Sequence, residues 1–196
     1  MRTPEVTALR REAPGRIAVD VDGRLWRIVP DDVVIACRLA AGTRLDRATL
    51  RGLRHALRRV EALATAGRAL ARSDFSARQL DERLRRAGMR RAEREDAVRV
   101  LVRSGAVDDA RVAERRAASL AERGWGDAAI RWRLEQAGFD ESVVTQALES
   151  LDPEEQRADV VGAGMSDPLK AARLLARRGF DAELVDRRLS RLDVTT

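Results

Sequence analysis

RLEQAGF at residues 133–139 has two counterparts along the chain, RLRRAGM at 83–89 and LLARRGF at 174–180. In each segment a Leu precedes a Gly by four residues, and a large apolar residue follows the Gly. Glycine is favoured just past a helix C-terminus because that position commonly adopts the left-handed conformation. The three segments therefore predict three copies of one helix that end in the same way.

The start of each copy is also predicted by the sequence. Twelve residues before the glycines lie Ser76, Gly126 and Asp167, and all three residue types serve as helix N-caps. Ser76 and Gln79 fit a capping box, in which each side chain bonds the other residue's backbone N–H. We therefore expect three capped helices that are related by repetition.

A second helical pattern follows each repeat glycine, and Asp140 and Asp181 are its matching N-caps in the second and third copies. The segments 110–123 and 155–162 predict one further helix each. The result is a unit of three helices, about 40 to 50 residues long. Such units normally stack into extended arrays, because one unit alone cannot bury its apolar face.

The chain before residue 31 follows a different pattern. Residues 17–21 alternate between apolar and polar side chains, which is the period of a half-buried strand. Asp22-Gly23 is a strong hairpin signal next to such a segment. A short helix is predicted at 30–39.

The predicted fold class is therefore mainly α, with tandem three-helix repeats in an elongated curved array. A small N-terminal β-hairpin or sheet and a helix precede the array. We expect four parts: a strand-containing extension with a basic helix at residues 1–60, and three-helix repeats at 61–109, 110–152 and 153–196.

A long basic amphipathic helix is predicted from Asp46 onward. Arg51, Arg54 and Arg58 lie together beside its apolar stripe. The net charge is +6, and the excess lies in residues 1–72, where 15 basic residues accompany 8 acidic ones. This pattern suits an acidic partner or nucleic acid, and a solvated helix face has the same pattern.

Two further charged clusters lie at predicted helix ends. The first is basic and comprises Arg85, Arg86, Arg90 and Arg91. The second is the acidic pair Asp108 and Asp109, followed by Arg111. The acids can face a basic residue of a partner. We favour a structural role for them, because carboxylates before an apolar-periodic segment cap and neutralise a helix N-terminus.

The aromatic residues are predicted to be structural. Trp125 and Trp132 are interpreted as packing anchors rather than as stacking platforms for bases, because aromatic residues make up 3% of the chain and none is Tyr. Phe139 and Phe180 follow repeat glycines and are predicted to be core residues.

Residue content argues against an enzyme. Cys37 and His55 are the single Cys and the single His, too few soft ligands for a zinc site, and Cys37 lies in an apolar run that predicts a buried thiol. We find no Gly-rich phosphate loop and no nucleophile with the partners that catalysis needs. We expect no catalytic residue, no metal and no cofactor.

No apolar run has the length of a membrane span or a signal peptide, which predicts a cytoplasmic protein without membrane contact.

The stretch from Ser104 to Gly138 resembles the central signature of the RecX regulators. In that family an apolar-Asp-Asp-x-x-Phe-Ala segment precedes a helix, a Gly-x-Gly turn and an Ile-x-x-x-Leu helix that ends in Gly. This sequence supplies Val107, Asp108, Asp109, Ala113, Gly124, Gly126, Ile130, Leu134 and Gly138. Residues 22–46 are similar to the small strand-containing extension that some members carry.

The resemblance implies a protein that binds the RecA recombinase along the groove of its filament on single-stranded DNA. It further implies that the protein modulates the recombinase and ATPase activities, with inhibition as the expected direction, in recombination, DNA repair and the SOS response. The three charged clusters are then candidate contacts to the filament or to DNA. The alternative is a helical repeat protein that binds DNA or RNA directly through its basic N-terminal half. Salt dependence separates the two, because phosphate-driven binding weakens steeply as salt rises.

Overall fold

The computed structural model describes residues 2–163, 165 and 167–193. Its strands are β1 (Val6–Ala13), β2 (Arg16–Val21) and β3 (Arg24–Pro30). Its helices are α1 (Asp31–Ala36), α2 (Arg47–Leu70), α3 (Ala77–Arg86), α4 (Arg91–Arg103), α5 (Asp109–Glu122), α6 (Asp127–Gln136), α7 (Glu141–Glu149), α8 (Glu154–Gly162), α9 (Pro168–Arg177) and α10 (Ala182–Asp193). The prediction of a mainly α protein with a small N-terminal sheet is confirmed.

The internal contacts divide the chain into two compact units. Unit 1 comprises Met1–Ser73 and Asp81–Leu101, and unit 2 comprises Asp74–Leu80 and Val102–Thr196. Each unit has its own hydrophobic core. The division at residues 60, 109 and 152 stays a prediction.

The N-terminal sheet of unit 1 is antiparallel, with the strand order β1-β2-β3. Asp22 and Gly23 form the turn between β2 and β3 with φ values of 49° and 81°, as expected for the turn that this dipeptide favours. Val19 of the sheet, Val33 of α1 and Leu53 of α2 are buried in one core. The sheet therefore fixes the position of α2.

The long basic helix, α2, begins after Asp46. The Asp46 Oδ1 accepts a hydrogen bond from the Thr49 backbone N–H at 2.8 Å. This bond lowers the pKa of the Asp46 carboxyl. The buried side of α2 contains Leu53 and small alanines, and its arginines point away from that core.

The predicted capped helices are confirmed at both ends. At the start of α3, the Gln79 N–H donates to the Ser76 hydroxyl at 3.1 Å and the Ser76 N–H donates to Gln79 Oε1 at 3.2 Å. At the end of α6, Gly138 has a φ of 84°, and the Phe139 N–H donates to the Leu134 carbonyl at 3.2 Å. This bond pattern satisfies a carbonyl that a helix end otherwise leaves free.

The repeat of three helices is present in α5–α7 and again in α8–α10. Ile130 and Leu134 of α6 are buried with Phe139 in the first of these groups. Leu175 of α9 and Phe180 are buried in the second. Phe139 and Phe180 are thus core residues, as predicted.

In unit 2, the start of one middle helix contacts the end of the middle helix one repeat later. The Gly126 N–H at the start of α6 donates to the Arg178 carbonyl at the end of α9, at 2.9 Å. The Ser76 hydroxyl at the start of α3 donates to the Ala137 carbonyl at the end of α6, at 3.1 Å. Each of these two joints places the positive end of one helix dipole against the negative end of another.

A carboxylate from the following repeat completes each joint. The Ala77 N–H, the first of α3, donates to Asp109 Oδ1 at 2.8 Å. The Asp127 N–H, the first of α6, donates to Glu154 Oε1 at 2.7 Å. Asp109 and Glu154 are themselves the first residues of α5 and α8, so the same geometry occurs twice. Burial raises the pKa of Glu154, although the N–H of Asp127 opposes the shift.

We predict that Gly126→Ala destabilises the protein. A Cβ at this position would lie 2.3 Å from the Gly179 carbonyl oxygen and from the Phe180 nitrogen. Overpacking of this kind costs about 1–3 kcal/mol. The matched control is Gly67→Ala in α2, where a Cβ meets no atom within 4 Å and removal of a helical glycine stabilises by about 0.5–1 kcal/mol. Urea denaturation of both variants measures the difference, and shifts of the same sign would contradict the prediction.

We further predict that Leu134→Ala destabilises by about 2–5 kcal/mol, through lost burial and a residual cavity. Leu134 is 1% exposed. Trp132→Ala, two residues earlier on the opposite face of α6, is the control and should stay within about 0.5 kcal/mol of the wild type. A denaturation midpoint and slope unchanged by Leu134→Ala would show that this side chain is not part of the core.

Candidate interaction surface

The arginine row on α2 is divided by its contacts. Arg51 and Arg54 are exposed, and the Arg54 Nε donates to the Leu50 carbonyl at 3.2 Å. Arg58 instead lies 3.5 Å from Glu93 Oε1, on α4. The first two guanidinium groups therefore face solvent, whereas the third also holds two helices together.

Glu93 joins two of the predicted basic clusters. Its side chain is only 8% exposed, and its Oε2 accepts the Arg90 N–H at the start of α4, at 3.0 Å. The Arg58 guanidinium and the Arg90 backbone N–H thus contact the same carboxylate. A second pair, Arg59 with Asp96 at 2.8 Å, links α2 to α4 further along. We call Arg51, Arg54, Arg58 and Arg90 the α2–α4 basic surface.

The remaining arginines of the second cluster form exposed ion pairs. Arg85 and Arg86 share Glu82, at 2.6 and 2.9 Å. The hydrogen bonds from Arg85 and Arg86 lower the pKa of Glu82 to about 2. Arg91 pairs with Glu95 at 2.6 Å. Their charge is partly neutralised, so they offer less free positive charge than Arg51 and Arg54.

The acidic pair Asp108 and Asp109 has structural contacts in unit 2. Asp108 Oδ1 accepts the Arg111 N–H at 3.0 Å and caps α5. Asp109 occupies the joint at Ala77. Both contacts agree with the structural role that the sequence favours. The Arg111 side chain is exposed, and contact of these three residues with a partner stays a prediction.

The two tryptophans differ. Trp125 is partly buried, with the Arg133 and Arg178 guanidinium carbons 4.1 and 5.2 Å from the centre of its ring. It is a packing anchor, as predicted. Trp132 is 59% exposed, so the same prediction was wrong there. The reason is its spacing, because a residue midway between the buried Ile130 and Leu134 lies on the other side of the helix.

Cys37 lies at a cleft of about 590 Å³ between α1 and α2, which His55 also lines. The thiol is half-buried rather than fully buried as predicted. Burial raises the pKa of the Cys37 thiol, which keeps it protonated near neutral pH. Among the residues with described positions, no group of three or more His, Cys, Asp or Glu side chains suits a metal ion.

None of the helices described here combines the length and the apolar composition that crossing a bilayer requires. The features that do stand out are exposed arginines on stacked helical repeats. The fold defines a helical-repeat protein, a class in which stacked repeats present extended surfaces.

Similarity to known proteins identifies the family. Residues 108–148, which include α5 and α6, match the model of the RecX second three-helix domain. A regulatory protein RecX from Stenotrophomonas maltophilia (strain R551-3) is 34% identical over 134 residues, or 63% of this chain and 82% of that protein. The regulatory protein RecX of Chromohalobacter salexigens is 34% identical over 127 residues, or 60% of this chain and 84% of that protein.

Solved structures agree in fold. A crystal structure of regulatory protein RecX superposes with a TM-score of 0.83 and 19% identity, covering 95% of this chain and 99% of that one. RecX from Lactobacillus salivarius gives a TM-score of 0.63 and 15% identity, covering 70% of this chain and 97% of that one. This chain belongs to the RecX family of regulatory proteins.

We predict that Arg58→Ala destabilises the protein by about 1 kcal/mol, because the buried Glu93 carboxylate loses its charged partner. The cost is smaller than for a fully buried ion pair, because the Arg58 side chain is half-exposed. Arg54→Ala, one turn earlier and exposed, is the control and should change stability by less than about 0.5 kcal/mol. Thermal denaturation of both variants measures the difference. Equal stability would mean that the Arg58–Glu93 pair contributes nothing to the fold.

Proposed function

We propose that this protein binds the RecA recombinase filament on single-stranded DNA and inhibits its recombinase and ATPase activities. The observation that carries the proposal is the α2–α4 basic surface of a RecX family member. Arg51 and Arg54 present guanidinium groups to solvent. A guanidinium pairs in a bidentate way with carboxylates and phosphates, both of which a nucleoprotein filament offers.

Stacked repeats suit a target that itself repeats. Two or more binding faces on one chain convert the second contact into an intramolecular event, and the gain in affinity needs no strong single contact. Arg85, Arg86, Arg91 and Arg111 are the further candidate contacts. Asp108 and Asp109 act in the proposal mainly by holding α5 and α3 in place.

A second candidate function is direct binding of DNA or RNA through the N-terminal half. The excess of basic residues in residues 1–72 favours it. Weak direct nucleic-acid binding is also compatible with the first proposal. The two differ in what they require, since only the first needs the recombinase.

DNA-stimulated ATP hydrolysis by the cognate RecA, measured with and without this protein, tests the proposal. We expect inhibition at a protein concentration well below that of the recombinase, because a filament regulator acts on many protomers at once. An unchanged rate at saturating protein would contradict the proposal. Inhibition that disappears when excess DNA is added would favour the second candidate.

We predict that the double variant Arg51→Ala and Arg54→Ala binds the filament more weakly, with a flatter salt dependence, because two exposed positive charges are lost. Arg58 is left intact so that Glu93 keeps its partner. Folding should be unaffected, since Ala is the better helix former. Filament binding across a salt series is the measurement.

The control removes the same charge elsewhere, through Arg173→Ala and Arg177→Ala on the exposed side of α9. An equal loss in both double variants would mean that net charge alone matters. If the α2 variant binds the filament with the affinity and the salt dependence of the wild type, Arg51 and Arg54 are solvent-facing residues that do not contact the filament. The predicted contact would then move to Arg85, Arg86, Arg90 and Arg91.

A further inference from the structure

Trp132 lines an open cleft between α5 and α6 in unit 2. The cleft has a volume of about 430 Å³. Its polar lining is contributed by Arg116, Ser119, Arg123, Arg133 and Gln136. An isolated exposed apolar side chain needs no explanation. A large exposed aromatic ring beside several arginines in a cleft is a more specific arrangement, because it joins a flat apolar face to hydrogen-bonding groups.

The lining of this cleft is positively charged. It includes three arginines and no carboxylate. Glu122 and Glu135 adjoin the lining residues in sequence and do not belong to the lining. The cleft is therefore complementary to an anion.

The three arginines are not equally free. The Arg116 Nη2 donates to the Asp74 carbonyl at 2.9 Å and to Gln79 Oε1 at 3.0 Å. These two hydrogen bonds hold the Arg116 side chain in place in the lining of the cleft. Arg123 and Arg133 are exposed. No carboxylate that the structure describes forms an ion pair with either of them. Both can therefore accept an anionic ligand without breaking an internal salt bridge.

Arg133 is also held in position. Its guanidinium carbon lies 4.1 Å from the centre of the Trp125 ring. Arg178 lies over the same ring at 5.2 Å and donates to the Arg123 carbonyl. A guanidinium that is already ordered loses less side-chain entropy when a ligand binds. Trp125 thus supports the cleft without lining it.

A ligand that matches this lining has a flat ring and a negative charge next to it, which is the chemistry of a nucleotide. Bases in a duplex are stacked on each other and do not present their faces, whereas bases in a single strand do. We propose that the cleft binds single-stranded nucleic acid, with one base stacked on Trp132 and neighbouring phosphates paired with Arg123 and Arg133. This inference goes beyond the proposed function, because it needs no recombinase. It also differs from the second candidate function, which places nucleic-acid binding in the N-terminal half, because the cleft lies between α5 and α6.

Binding of the full chain to a fluorescently labelled oligo(dT) strand, in the absence of recombinase, tests the inference. We expect Trp132→Ala to weaken binding by about 5- to 150-fold, the effect of losing one base–aromatic stack. Trp132→Phe should retain most of the affinity. The matched control is Trp26→Ala, which removes a ring that is 40% exposed on β3 of unit 1 and should leave binding unchanged.

A salt series adds a second readout. Arg123→Ala should make the slope of log K against log salt less steep by about 0.7, the value for one phosphate contact on a single strand. Arg173→Ala on α9 is the matched control and should leave the slope unchanged. A labelled duplex of the same length should bind more weakly than the strand and should not respond to Trp132→Ala.

Three results would overturn the inference: no binding of the strand by the wild-type chain, equal loss in Trp132→Ala and Trp26→Ala, or equal effects on strand and duplex. A loss of filament binding in Trp132→Ala with unchanged binding of the free strand would identify the cleft as a protein contact, which also overturns it. Failure of the proposed function is distinguished from all of these, because it is seen in the wild-type chain as unchanged ATP hydrolysis by the recombinase.

Discussion

The hydrogen bond from the Gly126 N–H to the Arg178 carbonyl is the contact on which the arrangement of unit 2 depends. It pairs an N–H group at the start of α6 with a carbonyl group at the end of α9. Helix ends leave such groups without intrahelical hydrogen-bond partners, and here each supplies the partner of the other. The approach is so close that no side chain fits at Gly126. The joint at Ser76 repeats the principle with a hydroxyl in place of the backbone N–H. Stacking of the repeats thus follows from the chemistry of helix ends, as well as from apolar burial.

Internal contacts distinguish the residues that hold the fold together from the residues whose side chains face solvent. Asp109 and Glu154 complete the joints, and Asp108 caps α5. Glu93 has a comparable role in unit 1, where it accepts hydrogen bonds from the Arg58 guanidinium and from the Arg90 backbone N–H. Acidic residues that stand out in the sequence are therefore largely structural. The exposed arginines on α2 and those around Trp132 are the groups that we propose for contact with partners.

The separation in sequence between interacting residues explains how much of the fold and of the candidate site could be predicted from the sequence. Ser76 with Gln79, and Leu134 with Phe139, interact within one or two helical turns, so residue types alone predicted those helix ends. Glu154 reaches Asp127 across 27 positions, and Arg58 reaches Glu93 across 35, and no local pattern signals either pair. The prediction for Trp132 was wrong, because its residue type favours packing whereas its spacing from the buried Ile130 and Leu134 places it on the exposed side of α6. The cleft beside it depends on how α5 packs against α6, which a single sequence does not specify.

A joint made from main-chain atoms has a consequence for sequence divergence. At Gly126 the groups that meet are N–H and carbonyl groups, which every residue except proline supplies, so the contact constrains the identity of very few side chains. Substitutions elsewhere on the helices then accumulate without loss of the arrangement. A solved RecX structure that shares the fold with a TM-score of 0.83 at only 19% identity agrees with this expectation. Exposed positions such as Trp132 lie outside the joints and are not constrained by them.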